Sequence, residues 1–318
     1  MSAAPGKKNY GPLYTSPMAV WFTLFFLIPI LIIILYSVLR KDMYAGVASG
    51  GNPLVLLKHL AEDFSSVIRG REAPNRDFTL EAYAALSNPN FALITVRTLL
   101  TSVVTTVITI VIALPCGYYM ARSKHQTAML LLIIIPFWTN FLIRVFAWMN
   151  ILGNNGFINE FLLRIGLIDD YIHFLYNQGA VGLVLVYMYL PYAILPLFST
   201  IDKFDFSLLE AARDLGATKA QSMSKILLPN IRSGLYTAVL FTFIPIFGSY
   251  AVPLLIGGME SYMLGNVIAD QLNRARNWPV ASAISMVLTV ITTLGVIIMM
   301  NLQRRDASRV IDVKGQGV

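Results

Sequence analysis

The sequence predicts an all-α membrane protein with six transmembrane helices and both termini cytoplasmic. Three observations carry that prediction. Of the 318 residues, 56% are apolar and 13% are charged, about half the charged share of ordinary soluble chains. Six stretches stay apolar over the roughly 20 helical residues that a bilayer core requires, because every backbone amide must pair internally where water is absent. Basic residues gather in alternate connections between those stretches, as the preference of Lys and Arg for the cytoplasmic side demands. A soluble fold is thereby excluded, and the net charge of +7 reads as sidedness and not as a nucleic-acid surface.

The spans fall at about Met18–Leu39, Thr95–Ala121, Met129–Leu152, Ala180–Ile201, Gly234–Ile256 and Val280–Leu302. The first is too long for the apolar core of a signal peptide, and Arg40-Lys41-Asp42 follows where cleavage would need small residues. It reads as an uncleaved anchor. A cytoplasmic tail, residues 1–17, precedes the membrane domain of residues 18–302, and a second tail, 303–318, follows it. In this orientation the inner segments hold 13 basic and 6 acidic residues and the outer segments 9 and 11. The inverted orientation would break the charge rule. Arg97 and Arg144 lie inside spans.

The first outer connection, 40–94, is long. Turn signals at Gly50-Gly51-Asn52-Pro53 and Ala73-Pro74-Asn75 frame apolar pieces, Leu54–Leu60 and Leu80–Leu86, which read as short helices at the membrane surface and together form a small cap. Cys116 is the single cysteine, which excludes an internal disulfide. His59, His125 and His173 are too scattered for a metal set.

The one sizeable inner loop is 202–233. Ser207 stands three residues before Glu210, and Thr218 three before Gln221, so each pair has the spacing of a capping box. Gly216 suits the left-handed turn that closes one helix, and Pro229 ends the next. The expectation is a helix at about Leu208–Leu215, a glycine turn and a second helix. Ala211 and Ala212 offer a bare surface to the backbone of another protein. The same residues also describe a solvated basic connector.

Glu210-Ala211-Ala212, then Gly216 four residues on, then Ile226-Leu227-Leu228-Pro229, resemble the EAA signature of inner-membrane subunits of ATP-binding-cassette importers. Further segments, Pro136-Phe-Trp-Thr-Asn-Phe-Leu-Ile-Arg144, Gly156-Phe-Ile-Asn-Glu-Phe-Leu-Leu163, Leu190-Pro191-Tyr192 and Asn277-Trp278-Pro279, are similar to segments of spermidine/putrescine importer permeases of the type with a PFWTN run. They cover roughly residues 15–305 in the same order. The resemblance implies the type I importer permease fold in a bacterial inner membrane, with 202–233 as the coupling loop. Glu210, Ala211, Ala212, Asp214, Gly216 and Pro229 would then seat its helix in a cleft of a separate ATPase. It also implies the partners: a second permease subunit in a heterodimer, two ATPase subunits, a periplasmic or lipoprotein substrate-binding protein, membrane lipid and a polyamine substrate. ATP and Mg would sit on the ATPase, leaving this chain without a cofactor or a catalytic residue. The chain departs from the family at Asn277, where an acid is frequent, and in its longer first outer loop.

A solute path needs groups that replace water. Trp138, Thr139 and Asn140 follow Pro136, whose missing N–H loosens the third span, and Trp138 offers a cation a π face. Taken alone, Trp138 fits an interfacial or packing aromatic at least as well. The resemblance associates it with substrate recognition, and similarly Tyr83 in the outer loop. Asn140, Tyr192 and Tyr250 complete the path candidates. Pro245-Ile-Phe-Gly-Ser-Tyr250 fits either a gate or a kink. Arg97 and Arg144, near the outer ends of their spans, fit snorkelling or pairing with an outer-loop acid. No span contains an Asp or Glu, so carboxylates for an amine would come from the partner permease or from outer acids such as Glu81, Glu160, Asp169, Asp170, Glu260 and Asp270.

There is no GxxxxGK[ST] run for nucleotide and no HExxH or other catalytic set. The expected function is a permease subunit of an ATP-driven importer. The competing readings are a stand-alone secondary transporter, which would need a buried ion site, and a membrane scaffold.

Overall fold

The computed structural model describes residues 11–42, 46–47, 52–69 and 77–315. Among these there is no β-strand, only the isolated bridges Leu39↔Phe78 and Lys41↔Val47. The helices run α1 (Gly11–Phe22), α2 (Ile28–Ser37), α3 (Pro53–Ile68), α4 (Glu81–Ala84), α5 (Pro89–Arg122), α6 (Gln126–Phe137), α7 (Phe141–Leu152), α8 (Phe157–Arg164), α9 (Gln178–Ile201), α10 (Ser207–Asp214), α11 (Lys219–Ser222), α12 (Leu228–Asn230), α13 (Arg232–Phe247), α14 (Ala251–Ile256), α15 (Leu264–Asn273) and α16 (Trp278–Gly315). The turn signals at Gly50, Gly51 and 73–75, residues 1–10 of the N-terminal tail and 316–318 lie outside the described residues.

Four helical stretches are long and apolar enough to cross a bilayer: Thr15–Ser37, Pro89–Arg122, Gln178–Ile201 and Trp278–Arg304. Two bent pairs pass the same test when each is taken together, Gln126–Phe137 with Phe141–Arg164 at 87° and Lys219–Asn230 with Arg232–Phe247 at 75°. The 87° bend divides the expected third span, whereas the 75° bend falls at Ile231, ahead of the expected fifth, which is interrupted separately between α13 and α14. The third breaks at Trp138–Asn140, and the fifth at Gly248–Tyr250 between α13 and α14. In each the break comes two to three residues after a proline, Pro136 and Pro245; a proline's missing N–H and its ring disturb the turn before it, so it weakens the end of the helix without setting the residue at which the helix stops. The last helix runs past the expected span: α16 is 38 residues long and takes in most of the segment 303–318, continuing helical to Gly315.

The chain divides into two compact units, one of residues 1–88 and 268–287 and one of residues 89–267 and 288–318. In the first, α1 and α2 are joined by a π-helical turn, Thr23–Leu27, in which the Ile28 N–H donates to the Thr23 carbonyl five residues back. Pro29 follows directly, and the widened turn moves backbone away from its ring. The most apolar stretch of this span buries none of its residues within the chain, which suits a helix that meets lipid. Beyond Ser37 a small apolar cluster forms from Leu39, Val47 and Leu56, with Leu35, Tyr36 and Phe78 packed against it. Through Leu56 this ties α3 to the end of the span. α3 and α4 fall on the two apolar pieces, Leu54–Leu60 and Leu80–Leu86, expected to be short helices; α3 is the longer, at 16 residues.

In the second unit α9 is the axis, with α5 and α13 packed along it. One cluster joins Ala113, Met120, Leu197, Ile201, Leu227 and Ala238. The other joins Val145, Val184, Met188, Ile246, Val252 and Ile256. Close approach is built from small residues, as helix packing in lipid requires. A Cβ at Gly117 would stand 3.3 Å from the Phe198 nitrogen, and one at Gly234 would stand 2.7 Å from the Thr200 Cβ. The buried face of α5 is a hydroxyl ladder of Thr98, Thr101, Ser102, Thr105, Thr106 and Thr109. Thr98, Thr101, Ser102 and Thr109 each donate to the carbonyl four residues earlier, at 2.7–2.8 Å. An unpaired hydroxyl in an apolar medium costs several kcal/mol, roughly 4–8 at the alkane limit. Bonding back into the helix removes that cost for these four and leaves a narrow, packable face, while the buried Thr106 hydroxyl has no partner among the described residues.

Candidate functional site

The loop 202–233 folds as helix, glycine turn, helix. Gly216 has φ +86°, and the turn is a Schellman motif: the Gly216 N–H donates to the Arg213 carbonyl at 2.8 Å and the Ala217 N–H to the Ala212 carbonyl at 3.0 Å. Thr218 and Gln221 form the expected capping box at α11. The box expected at Ser207 and Glu210 is corrected. Ser207 is the first helical residue, and the Asp205 carboxylate accepts the Ser207 N–H at 3.0 Å. A carboxylate is the stronger acceptor at a helix N-terminus. The Ser207 hydroxyl and then its N–H hold the Asp205 carboxyl below the usual carboxylate range. Pro229 sits inside the last short turn, α12, and the helix stops at Asn230. Ahead of it Met223–Leu227 is a second π-helical turn, with the Leu228 N–H on the Met223 carbonyl.

α10 is firmly seated. Leu209, 1% exposed, enters the cluster of α5, α9 and α13. At the entrance to α10, the Phe206 ring lies edge-on to Tyr118 at 6.0 Å and beneath the Arg122 guanidinium at 5.3 Å. The Gln126 amide donates to the Ala121 carbonyl and to the Asp202 carboxylate, both at 3.0 Å, tying the end of α5 to the end of α9. The opposite face is free of the chain: Glu210, Ala211 and Asp214 are exposed, Ala212 is half-buried, and Leu215 is 90% exposed. Leu208, Ala211 and Leu215 share one face by their spacing. A rigid helix thus presents an apolar strip bordered by two acids.

Gly216→Ala is expected to loosen this element. A Cβ there meets nothing within 4 Å, so the cost is the left-handed backbone alone, about 1–2 kcal/mol. Faster amide hydrogen exchange across α10 and α11, with exchange in α9 unchanged, is the expected reading.

In the membrane region the break between α6 and α7 carries the path candidates Trp138 and Asn140. The Thr139 hydroxyl donates to the Pro136 carbonyl at 2.7 Å, and the Asn140 side chain caps α7 by accepting the Leu142 N–H at 2.8 Å. Asn140 is therefore partly occupied structurally, while Trp138 is 82% exposed. Next to it Phe137 lies edge-on to Tyr192 at 4.9 Å, Tyr192 lies 5.8 Å from Tyr189, and the Arg144 guanidinium covers Phe137 at 5.0 Å. The structure thus groups Trp138, Asn140 and Tyr192 about one helix break.

Tyr250 stands at the other break, as the residue before α14. Asn266, 1% exposed, donates to the Tyr250 carbonyl at 3.0 Å and accepts the Met263 N–H at 3.1 Å. Tyr83 belongs to the other unit, where its hydroxyl donates to Ser37 at 2.8 Å. Arg97 donates to the backbone carbonyl of Glu260 and not to its carboxylate. Among the acids expected from the sequence to lie on the outer side, Glu160 and Asp270 are engaged by Arg164 and Arg274 one turn away, at 3.7 and 3.4 Å. Sequence reasoning missed Asn266 and the α5 hydroxyl ladder. The ladder's spacing of three and four residues was visible, but threonine reads as apolar enough to pass within a span.

The family described as binding-protein-dependent transport system inner membrane component matches residues 96–311. The spermidine/putrescine transport system permease protein PotB of Salmonella typhimurium (strain SL1344) is 37% identical over 238 residues, 74% of this chain and 83% of that protein. Its counterpart in Escherichia coli (strain K12) is 38% identical over 219 residues, 68% of this chain and 80% of that protein. A chain of the bacterial alginate ABC transporter, crystallised with an alginate pentasaccharide-bound periplasmic protein, superposes with a TM-score of 0.67 over 93% of this chain and 95% of that one, at 16% identity. With a matched region running from α5 into α16 and relatives of this similarity, the chain belongs to the inner-membrane components of binding-protein-dependent transport systems.

Proposed function

We propose that this chain is one half of the translocation path of an ATP-driven polyamine importer, and that α10 couples it to the ATPase. The observation that carries the coupling role is the rigidly seated helix with an outward face of Leu208, Ala211 and Leu215 beside Glu210 and Asp214. Its free side is apolar with small residues at the centre, which suits insertion into a cleft of another protein. Six spans, with the third and fifth broken, leave both termini cytoplasmic under the charge rule. This puts α10 where ATP is found. The membrane domain is residues 18–302, with an outer cap in 40–94 and the coupling loop in 202–233. The assembly comprises a second, different permease subunit, two ATPase subunits that hold ATP and Mg, and a substrate-binding protein. The chain itself carries no cofactor and no catalysis. A stand-alone secondary transporter is not favoured, since the spans hold no carboxylate for a coupling ion.

Polyamine as substrate rests on the similarity to the PotB proteins and on the exposed Trp138 beside Tyr192. A π face for an ammonium contributes about 0.5–2 kcal/mol, equivalent to about 2- to 30-fold in affinity. Trp138→Ala is therefore expected to reduce spermidine uptake in the reconstituted importer within that range, with Trp138→Phe retaining more. Equal uptake in the parent and both variants would assign Trp138 to packing. Uptake that proceeds without any ATPase would overturn the importer reading itself.

A further inference from the structure

At the end of the first span, in the unit formed by residues 1–88 and 268–287, lies a cavity of about 250 Å³. Its floor is apolar, with Leu39, Ala82 and Val280, and its rim carries Arg40, Lys41 and Glu81 together with Thr79 and Asn277. Its depth in the bilayer is fixed from two directions. The first span ends at Ser37 and the last begins at Trp278, and the rings of Tyr36 and Trp278 stack at 6.0 Å. Tyr and Trp paired at two span ends mark the interface between hydrocarbon and headgroups. The cavity opens there, where phospholipid headgroups lie.

The charges on the rim are not paired with one another. Among the described residues no ion pair joins Arg40 or Lys41 to Glu81, although all three border one small space. One Lys41 N–H donates to the Ala275 carbonyl at 3.3 Å, leaving its other donors free. Asn277 uses its carbonyl oxygen toward the Val280 N–H at 3.4 Å, which leaves its NH₂. Thr79 accepts the Glu81 N–H at 3.1 Å, which leaves its hydroxyl hydrogen. Two cations and two neutral donors thus face one carboxylate across a gap that their side chains do not close.

We infer that this cavity binds a phosphoethanolamine headgroup of a membrane lipid, with the phosphate on Arg40 and Lys41 and the primary ammonium on Glu81. The group is a zwitterion, matching the rim, and the glycerol end meets the apolar floor. A phosphatidylglycerol headgroup satisfies the cations but offers Glu81 only neutral hydroxyls in place of an ammonium. A choline headgroup cannot donate a hydrogen bond to Glu81.

Native mass spectrometry of the full-length chain in detergent, with equal amounts of phosphatidylethanolamine, phosphatidylglycerol and phosphatidylcholine of identical acyl chains, tests the assignment. The ethanolamine lipid is expected to be retained about fivefold over either other lipid, the effect of one hydrogen-bonded ammonium–carboxylate pair. Glu81→Gln is expected to bring its retention down to that of phosphatidylcholine. Arg40→Gln with Lys41→Gln is expected to lower retention of both phosphatidylethanolamine and phosphatidylglycerol. All are exposed positions, and unchanged helical circular dichroism confirms folding. Equal retention of the three lipids, or a preference that survives Glu81→Gln, overturns the proposal. So does displacement of the lipid by an equal concentration of soluble glycerophosphoethanolamine, which would make the ligand a soluble zwitterion.

Discussion

An Ala211→Tyr variant is expected to fold and enter the membrane like the parent but to lose transport almost completely. Ala211 is exposed at the centre of the outward face of α10, so the new ring meets nothing within the chain. Only an occupant of that face is displaced. If the ATPase grips α10 there, a ring of this size in a close-packed interface costs about 1–3 kcal/mol or more, as overpacking does in cores, and loss of register would uncouple the remainder. The measurement is stimulation of ATP hydrolysis by substrate-loaded binding protein in reconstituted vesicles, beside the melting temperature of the isolated chain. Ala211→Tyr is expected to abolish stimulation at unchanged melting temperature, and Ala211→Ser to preserve both. Parental stimulation in the tyrosine variant would show that the ATPase does not dock on this face.

Asn266→Ala is expected to act in the opposite way, destabilising the chain itself. The buried side chain satisfies the Tyr250 carbonyl and the Met263 N–H at once. Truncation strands both, and each buried unsatisfied group costs about 1–3 kcal/mol. The same turn brings Gly265 so close that a Cβ there would lie 2.7 Å from the Ser249 carbonyl oxygen, so no side-chain shift refills the space. A clear fall in the detergent melting temperature is expected. Asn266→Asp, which keeps only the acceptor toward Met263, should fall as well. A parental melting temperature for both would remove Asn266 as the brace of this break.

The contrast between these sites reflects what a single sequence discloses. The α10 turn was legible because its signals are local: Gly216 for a left-handed residue, and Thr218 with Gln221 for a cap. The first cap was misread because Asp205 and Ser207 compete for one helix start, and the winner depends on where the first turn begins. The long spans were legible by apolar length alone. The candidate interruptions at Pro136 and Pro245 were legible too, but not which prolines break a helix, since Pro115 lies within a helix that continues to Arg122 while Pro136 precedes a break by two residues. Tertiary support decides between those outcomes. Asn266 was invisible for the same reason, as its partners lie 16 residues back and three residues before.

The π-helical turns ahead of Pro29 and Pro229 each hold one residue more than an α-helical turn would. At about 100° per residue, the helix beyond each turn is rotated by nearly a third of a circle relative to the pattern before it. No single periodic stripe can therefore be drawn through α1 and α2, or from α11 into α12. A one-residue deletion at either place would restore the regular phase of the helix, and would thereby turn every downstream side chain toward a different neighbour.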